Sequence, residues 1–197
     1  MNNIKIEFDH ENAKTPKYAI EELIAIKGDC DPQLWLTGKV TGLQLGSNNT
    51  YNYTVLLEYP EKCSKEYRED ELLTIKEHKR EQILYGLGYF TGSQVLFKHW
   101  FGFRYTQGVK YIADEAGAYW LIDAICSHQN RTLLNKYPNL KEFQIWRLEV
   151  KDDSGLLICE EDTDQPVLSQ KIPYTDFPLE EIKFFLIDRI ILLPGEY

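Results

Sequence analysis

The chain has 197 residues, 43% hydrophobic, 27% charged and 13% aromatic, which excludes a disordered polymer and allows one domain or two small ones with a buried core. Its 31 acidic residues outnumber 22 basic ones for a net charge of -9, and the excess is spread over both halves, so no basic patch is offered to phosphates and nucleic-acid binding is disfavoured. No stretch of 18 apolar residues occurs, which leaves nothing to span a membrane as a helix.

The four cysteines, Cys30, Cys63, Cys126 and Cys159, are scattered. They form no Cys-x-x-Cys pair and have no histidine at zinc-ligand spacing, which predicts reduced thiols and neither metal nor cofactor. The opening MNNIKIEFDHE lacks a basic segment followed by an apolar one, so no secretory leader is expected and the predicted location is cytoplasmic.

In chain order, Ile4, Ile6 and Phe8 alternate with polar residues and predict a short strand. Thr15-Pro16 reads as the N-cap and first position of a short helix, with Ile20, Leu23 and Ile24 on one face and Gly28 as its stop. Residues 34–45 and 51–59 read as two strands joined by a hairpin loop over 46–50. Tyr51, Tyr53, Val55, Leu57 and Tyr59 fall on one face of the second. With Trp35 nearby, Tyr51 and Tyr53 form a candidate interaction surface of the kind that docks peptides; the other reading of this face is a buried core. The order of short strands up to Tyr67-Leu72 resembles the small SH3-like barrels. A charged helix-forming run over 71–85 reads as a linker helix, and residues 94–103 as an aromatic-rich strand or extended piece holding His99 and Trp100.

Thr106 then opens the most prominent pattern. Val109, Ile112, Ala113, Ala116, Trp120 and Ala124 recur at helical spacing, and 116–122 carries no charge, which predicts one long central helix covered on several sides in its second half. Gly117 reads as a packing notch. Asp123, one turn beyond Tyr119 and Trp120, is expected to be a buried carboxylate, satisfied by Arg147, Lys110 or a tyrosine hydroxyl, or else the polar floor of a pocket lined by Tyr119 and Trp120. Cys126 and His128 do not complete a nucleophile set with it, because residues two apart on a helix point about 200° apart. Phe143–Val150, Leu156–Glu161 and Val167–Ile172 read as strands; 183–193 suits a helix or a strand, with its β-branched content favouring strand. The acidic run from Glu160 to Asp164 lacks calcium-loop spacing. No phosphate-loop, dinucleotide, zinc-protease or nucleophile-elbow motif is present.

The blocks GVKYIADEAGAYWLIDAI, FQIWRLEV, QKIPYTDFPL and IILLPGEY, in that order, resemble an uncharacterised domain family associated with bacteria, including cyanobacteria, and their mobile elements. The resemblance implies a fold unit over about 88–197 and no activity, ligand or catalytic residue. The expected architecture is α+β: a mostly-β module over 1–85, then a domain over 86–197 in which one helix covers an antiparallel sheet. The leading functional expectation is a non-enzymatic, cytoplasmic interaction or regulatory protein that binds another protein. The alternative is a small-molecule-binding protein or enzyme with its pocket around Trp120 and Asp123.

Overall fold

The computed structural model describes residues 14–46 and 49–197; the strand expected over Ile4, Ile6 and Phe8 lies outside them. The architecture is α+β, and the chain divides into two compact units, residues 1–82 and 83–197. No helix among the described residues is long and apolar enough to cross a membrane.

Among the described residues the first unit holds five strands: β1 (Leu23–Ile26), β2 (Thr37–Leu45), β3 (Tyr51–Leu57), β4 (Cys63–Arg68) and β5 (Leu72–Thr74). They form an antiparallel sheet in the order β4-β3-β2-β1-β5. Along β3 the period of two is complete: Tyr51, Tyr53, Val55 and Leu57 point inward and the residues between them are half-buried. Tyr18 seals this core, its ring edge-to-face with that of Tyr53 at 5.2 Å between centres and its hydroxyl donating to the Leu72 carbonyl at 2.7 Å. Two expectations fail here. The helix after Thr15-Pro16 does not form, because Glu21 adopts a positive φ of 71° that no continuing helix allows, and Leu23–Ile26 enters the sheet instead. The SH3-like barrel does not close, since β4 and β5 remain the two edges and three-residue β5 offers little backbone to pair.

The helix α1 (Ile75–Leu87) starts from a reciprocal cap: the Glu77 N–H donates to the Thr74 hydroxyl at 3.1 Å, and the Glu77 carboxylate accepts from the Thr74 N–H at 2.8 Å. The division between units falls inside this helix, at 82–83, a little before the boundary expected at 85.

The second unit holds β6 (Phe97–Lys98), β7 (Arg104–Tyr105), α2 (Gln107–Glu115), α3 (Tyr119–Ser127), α4 (Arg131–Lys136), β8 (Phe143–Lys151), β9 (Ser154–Glu160), β10 (Pro166–Ile172), β11 (Glu181–Ile187) and β12 (Ile190–Leu192). Its seven strands run β10-β9-β8-β11-β12-β7-β6, antiparallel except for β12 beside β7. Val109, Ile112, Leu121 and Ile125 from the helices pack into one core with Trp146, Leu148, Leu157 and Phe184 of the sheet.

The single long helix is corrected to two. Gly117 takes a left-handed φ of 61°, and the Ala118 N–H returns to the Ala113 carbonyl at 2.9 Å, the 6→1 bond that ends a helix at a glycine. No atom lies within 4 Å of where a Gly117 Cβ would stand, so the residue is a helix stop and not a packing notch. The expected strand over 94–103 is a hairpin instead, β6 and β7 joined through a turn over His99–Phe103. Residues 183–193 are two strands, β11 and β12, joined by Asp188 and Arg189, both at positive φ (49° and 66°). Two successive left-handed residues match the twist of a tight hairpin.

Candidate functional site

A cleft of about 440 Å³ opens in the second unit where the β6–β7 hairpin, the end of α3 and the β11–β12 turn approach one another. Its apolar surface comes from Phe101, Phe103, Leu134, Leu140, Leu186 and Cys126. Ser127, Gln129, Gln144, Lys141, Asp188 and Arg189 provide its polar groups.

The floor is fixed by paired amides. Gln144, almost fully buried, exchanges hydrogen bonds with Gln129 in both directions (2.7 and 2.9 Å), accepts from the Trp146 indole N–H at 2.8 Å and donates to the Leu140 carbonyl at 2.7 Å. Gln129 also donates to the Ile125 carbonyl at 3.1 Å. Each amide is held by several partners, so the floor is rigid and its polar atoms are satisfied without a ligand.

The mouth carries aromatic groups. Trp100 is 77% exposed and stacks on Phe101, itself 42% exposed, with ring centres 3.8 Å apart. The Phe101 N–H donates to His99 Nδ1 at 3.3 Å, which leaves the proton on Nε2, and that nitrogen donates to Asp123 at 2.8 Å. The Trp100 indole N–H reaches the same Asp123 oxygen at 3.3 Å. One carboxylate on α3 thus fixes the hairpin turn.

Burial first, with the Asp123 charge adding to it and Arg189 opposing, pushes the Cys126 thiol up to about 12, so at neutral pH it is no thiolate nucleophile. The Ser127 hydroxyl donates to the Ala124 carbonyl at 2.7 Å. Among the described residues no group of three or more His, Cys, Asp and Glu side chains is placed to hold a metal ion.

The residues singled out from sequence lie elsewhere. Asp123 is not a buried polar centre: its side chain is 54% exposed, because α3 restarts its register after Gly117 and turns this position outward. Its expected partners are taken, Arg147 by Glu160 at 2.7 Å and Lys110 by Asp114 at 2.5 Å. Tyr119 is exposed with its hydroxyl on Asp114, and Trp120 is half-buried against the core; neither lines the cleft. Tyr51 and Tyr53 are 2% and 0% exposed, so they are core and no interaction surface, while half-buried Trp35 stacks on His78 at 5.6 Å. His99, Trp100 and Phe101 were missed as a site. The signal was present in the run FKHWFGF, where Gly102 supplies a left-handed φ of 77° to a turn crowded with large rings.

The profile of a family of unknown function, DUF6876, matches residues 81–197. The chain belongs to that family. The matched segment contains the cleft, the aromatic hairpin and the whole β-sheet of the second unit. No curated protein and no solved structure matches the chain.

Proposed function

We propose that this DUF6876 member is a non-enzymatic, cytoplasmic interaction protein that docks a partner protein at the aromatic mouth of the cleft. The observation that carries this reading is the Trp100–Phe101 stack, exposed yet held in place by Asp123 and His99. Large rings ordered before binding give apolar contact at low entropic cost, which is why tryptophan is enriched among residues that dominate interfaces. The raised Cys126 thiol and the internally bonded Ser127 support a binding role over a catalytic one.

Quantitative affinity capture from the native host, with wild-type protein beside Trp100→Ala, tests it. A partner lost from the variant should bind it at least about tenfold more weakly when purified. Identical partner sets would remove the basis of the proposal. A second reading, a small-molecule site, is favoured by the cleft itself, whose volume of about 440 Å³ lies in the range of ligand sites. Neither Trp120 nor Asp123 lines that cleft.

A further inference from the structure

Arg189 is the group of the cleft that partner docking does not use. The left-handed backbone at Asp188 and Arg189 turns its side chain back onto the β6–β7 hairpin. There Nε donates to the Gly102 carbonyl at 3.3 Å, a terminal nitrogen donates to the Phe101 carbonyl at 3.2 Å, and the guanidinium carbon lies 4.5 Å from the centre of the Phe103 ring. All three partners are uncharged, and Arg189 forms no ion pair among the described residues. Its position is already fixed and the edge between its two terminal nitrogens is left to donate, so an arriving anion meets planar donors without having to order them. Lys141 adds a second cation to the cleft, against the carboxylates of Asp188 in its lining and Asp123 at its mouth. Behind these charges the surface is apolar, formed by Phe103, Leu140 and Leu186.

We infer that the cleft binds a small organic carboxylate, with the acid group on Arg189 and an apolar body over Phe103, Leu140 and Leu186. A carboxylate matches the planar fork in two parallel hydrogen bonds, and the uncharged floor leaves no place for a second anionic group. The site shares the cleft with the aromatic mouth but relies on Arg189 and not on Trp100, which is not part of its lining.

Calorimetric titration of the full chain with 4-phenylbutyrate and with octanoate, each beside its own primary amide, tests it. At least one acid should bind about tenfold more tightly than its amide, the size of one charge-assisted hydrogen-bond pair. That preference should vanish in Arg189→Gln, fall partway in Arg189→Lys, and persist in Trp100→Ala. Inorganic phosphate at equal concentration should not compete. The inference is overturned if neither acid binds, if acid and amide bind alike, if the preference survives in Arg189→Gln, or if phosphate displaces the acid. The acid-to-amide comparison needs only wild-type protein, so a misfolded variant leaves it decisive.

Discussion

Glu160 is the carboxylate whose burial makes it dependent on a partner, with a side chain 3% exposed and Arg147 at 2.7 Å. The hydrogen bond to Glu160 is the first cause that holds the Arg147 guanidinium above its usual range. Removing the cation leaves a buried charge unpaired, so Arg147→Met should cost about 3 kcal/mol in equilibrium urea unfolding. A loss below about 1 kcal/mol would show the pair to be dispensable. Asp123 belongs to the opposite class: exposed, with its bonds spent on the hairpin turn, it should cost only about 0.5 kcal/mol when changed to Ala. The uncharged run around it suggested burial, but that inference required an unbroken helix. Where the backbone turns at Gly117, the faces of the following residues cannot be read from those before it.

The two buried thiols give a pH dependence whose direction is fixed. Burial pushes Cys126 and Cys159 up to about 12 from an ordinary value of 9.0. Between those values the unfolded chain ionises and the folded chain does not, so stability complete below pH 9 falls as pH rises towards 12. Urea midpoints at pH 8 and pH 10 should therefore drop more for wild type than for the Cys126→Ala/Cys159→Ala double variant. Equal drops in the two proteins would assign the alkaline loss to tyrosines or lysines.

At the scale of elements, the strands were legible because alternation reports burial directly: β3 has the face expected of it, and the 152–153 turn joins β8 to β9 as its Asp-Asp-Ser-Gly composition implies. Helix limits were less legible, since periodicity shows which residues share a face and says little of where a backbone stops. The start of α2 illustrates this. Thr106 occupies the N-cap position but its side chain makes no capping bond; the Glu196 carboxylate does the work from the end of the chain, accepting from the Gly108 N–H at 3.0 Å and the Thr106 hydroxyl at 2.5 Å. No local rule reaches across 88 residues. A carboxylate at a helix N-terminus satisfies orphan donors and opposes the helix dipole, so Glu196→Ala should lower stability by about 1 kcal/mol and Glu196→Gln by less. Gly117→Ala should cost about 1 kcal/mol through its left-handed backbone alone, since space for the methyl group is open. Thermal melts of the three variants check both, and a neutral Glu196→Ala would mean that water replaces the cap without loss.

For the whole molecule, the family match begins at residue 81, two residues before the second unit begins at 83. Ile83 is fully buried in the core of that unit, together with Val109, Ile112 and Phe184. Glycines at 86, 88 and 92 made a boundary after residue 85 attractive from sequence, because glycine loosens a chain. The packing of Ile83 argues that the last turns of α1 belong to the fold that follows. A fragment of residues 81–197 carries all seven strands of its sheet, three helices and a closed set of buried side chains, and should melt cooperatively by itself. A fragment of residues 86–197 lacks Ile83 and leaves a hole where its side chain stood, which should cost at least about 2 kcal/mol relative to the longer fragment. Differential scanning calorimetry of the two fragments separates the possibilities. Equal melting temperatures would return the boundary to residue 85, and a broad, non-cooperative transition in the longer fragment would show that the second unit cannot hold its core without the first.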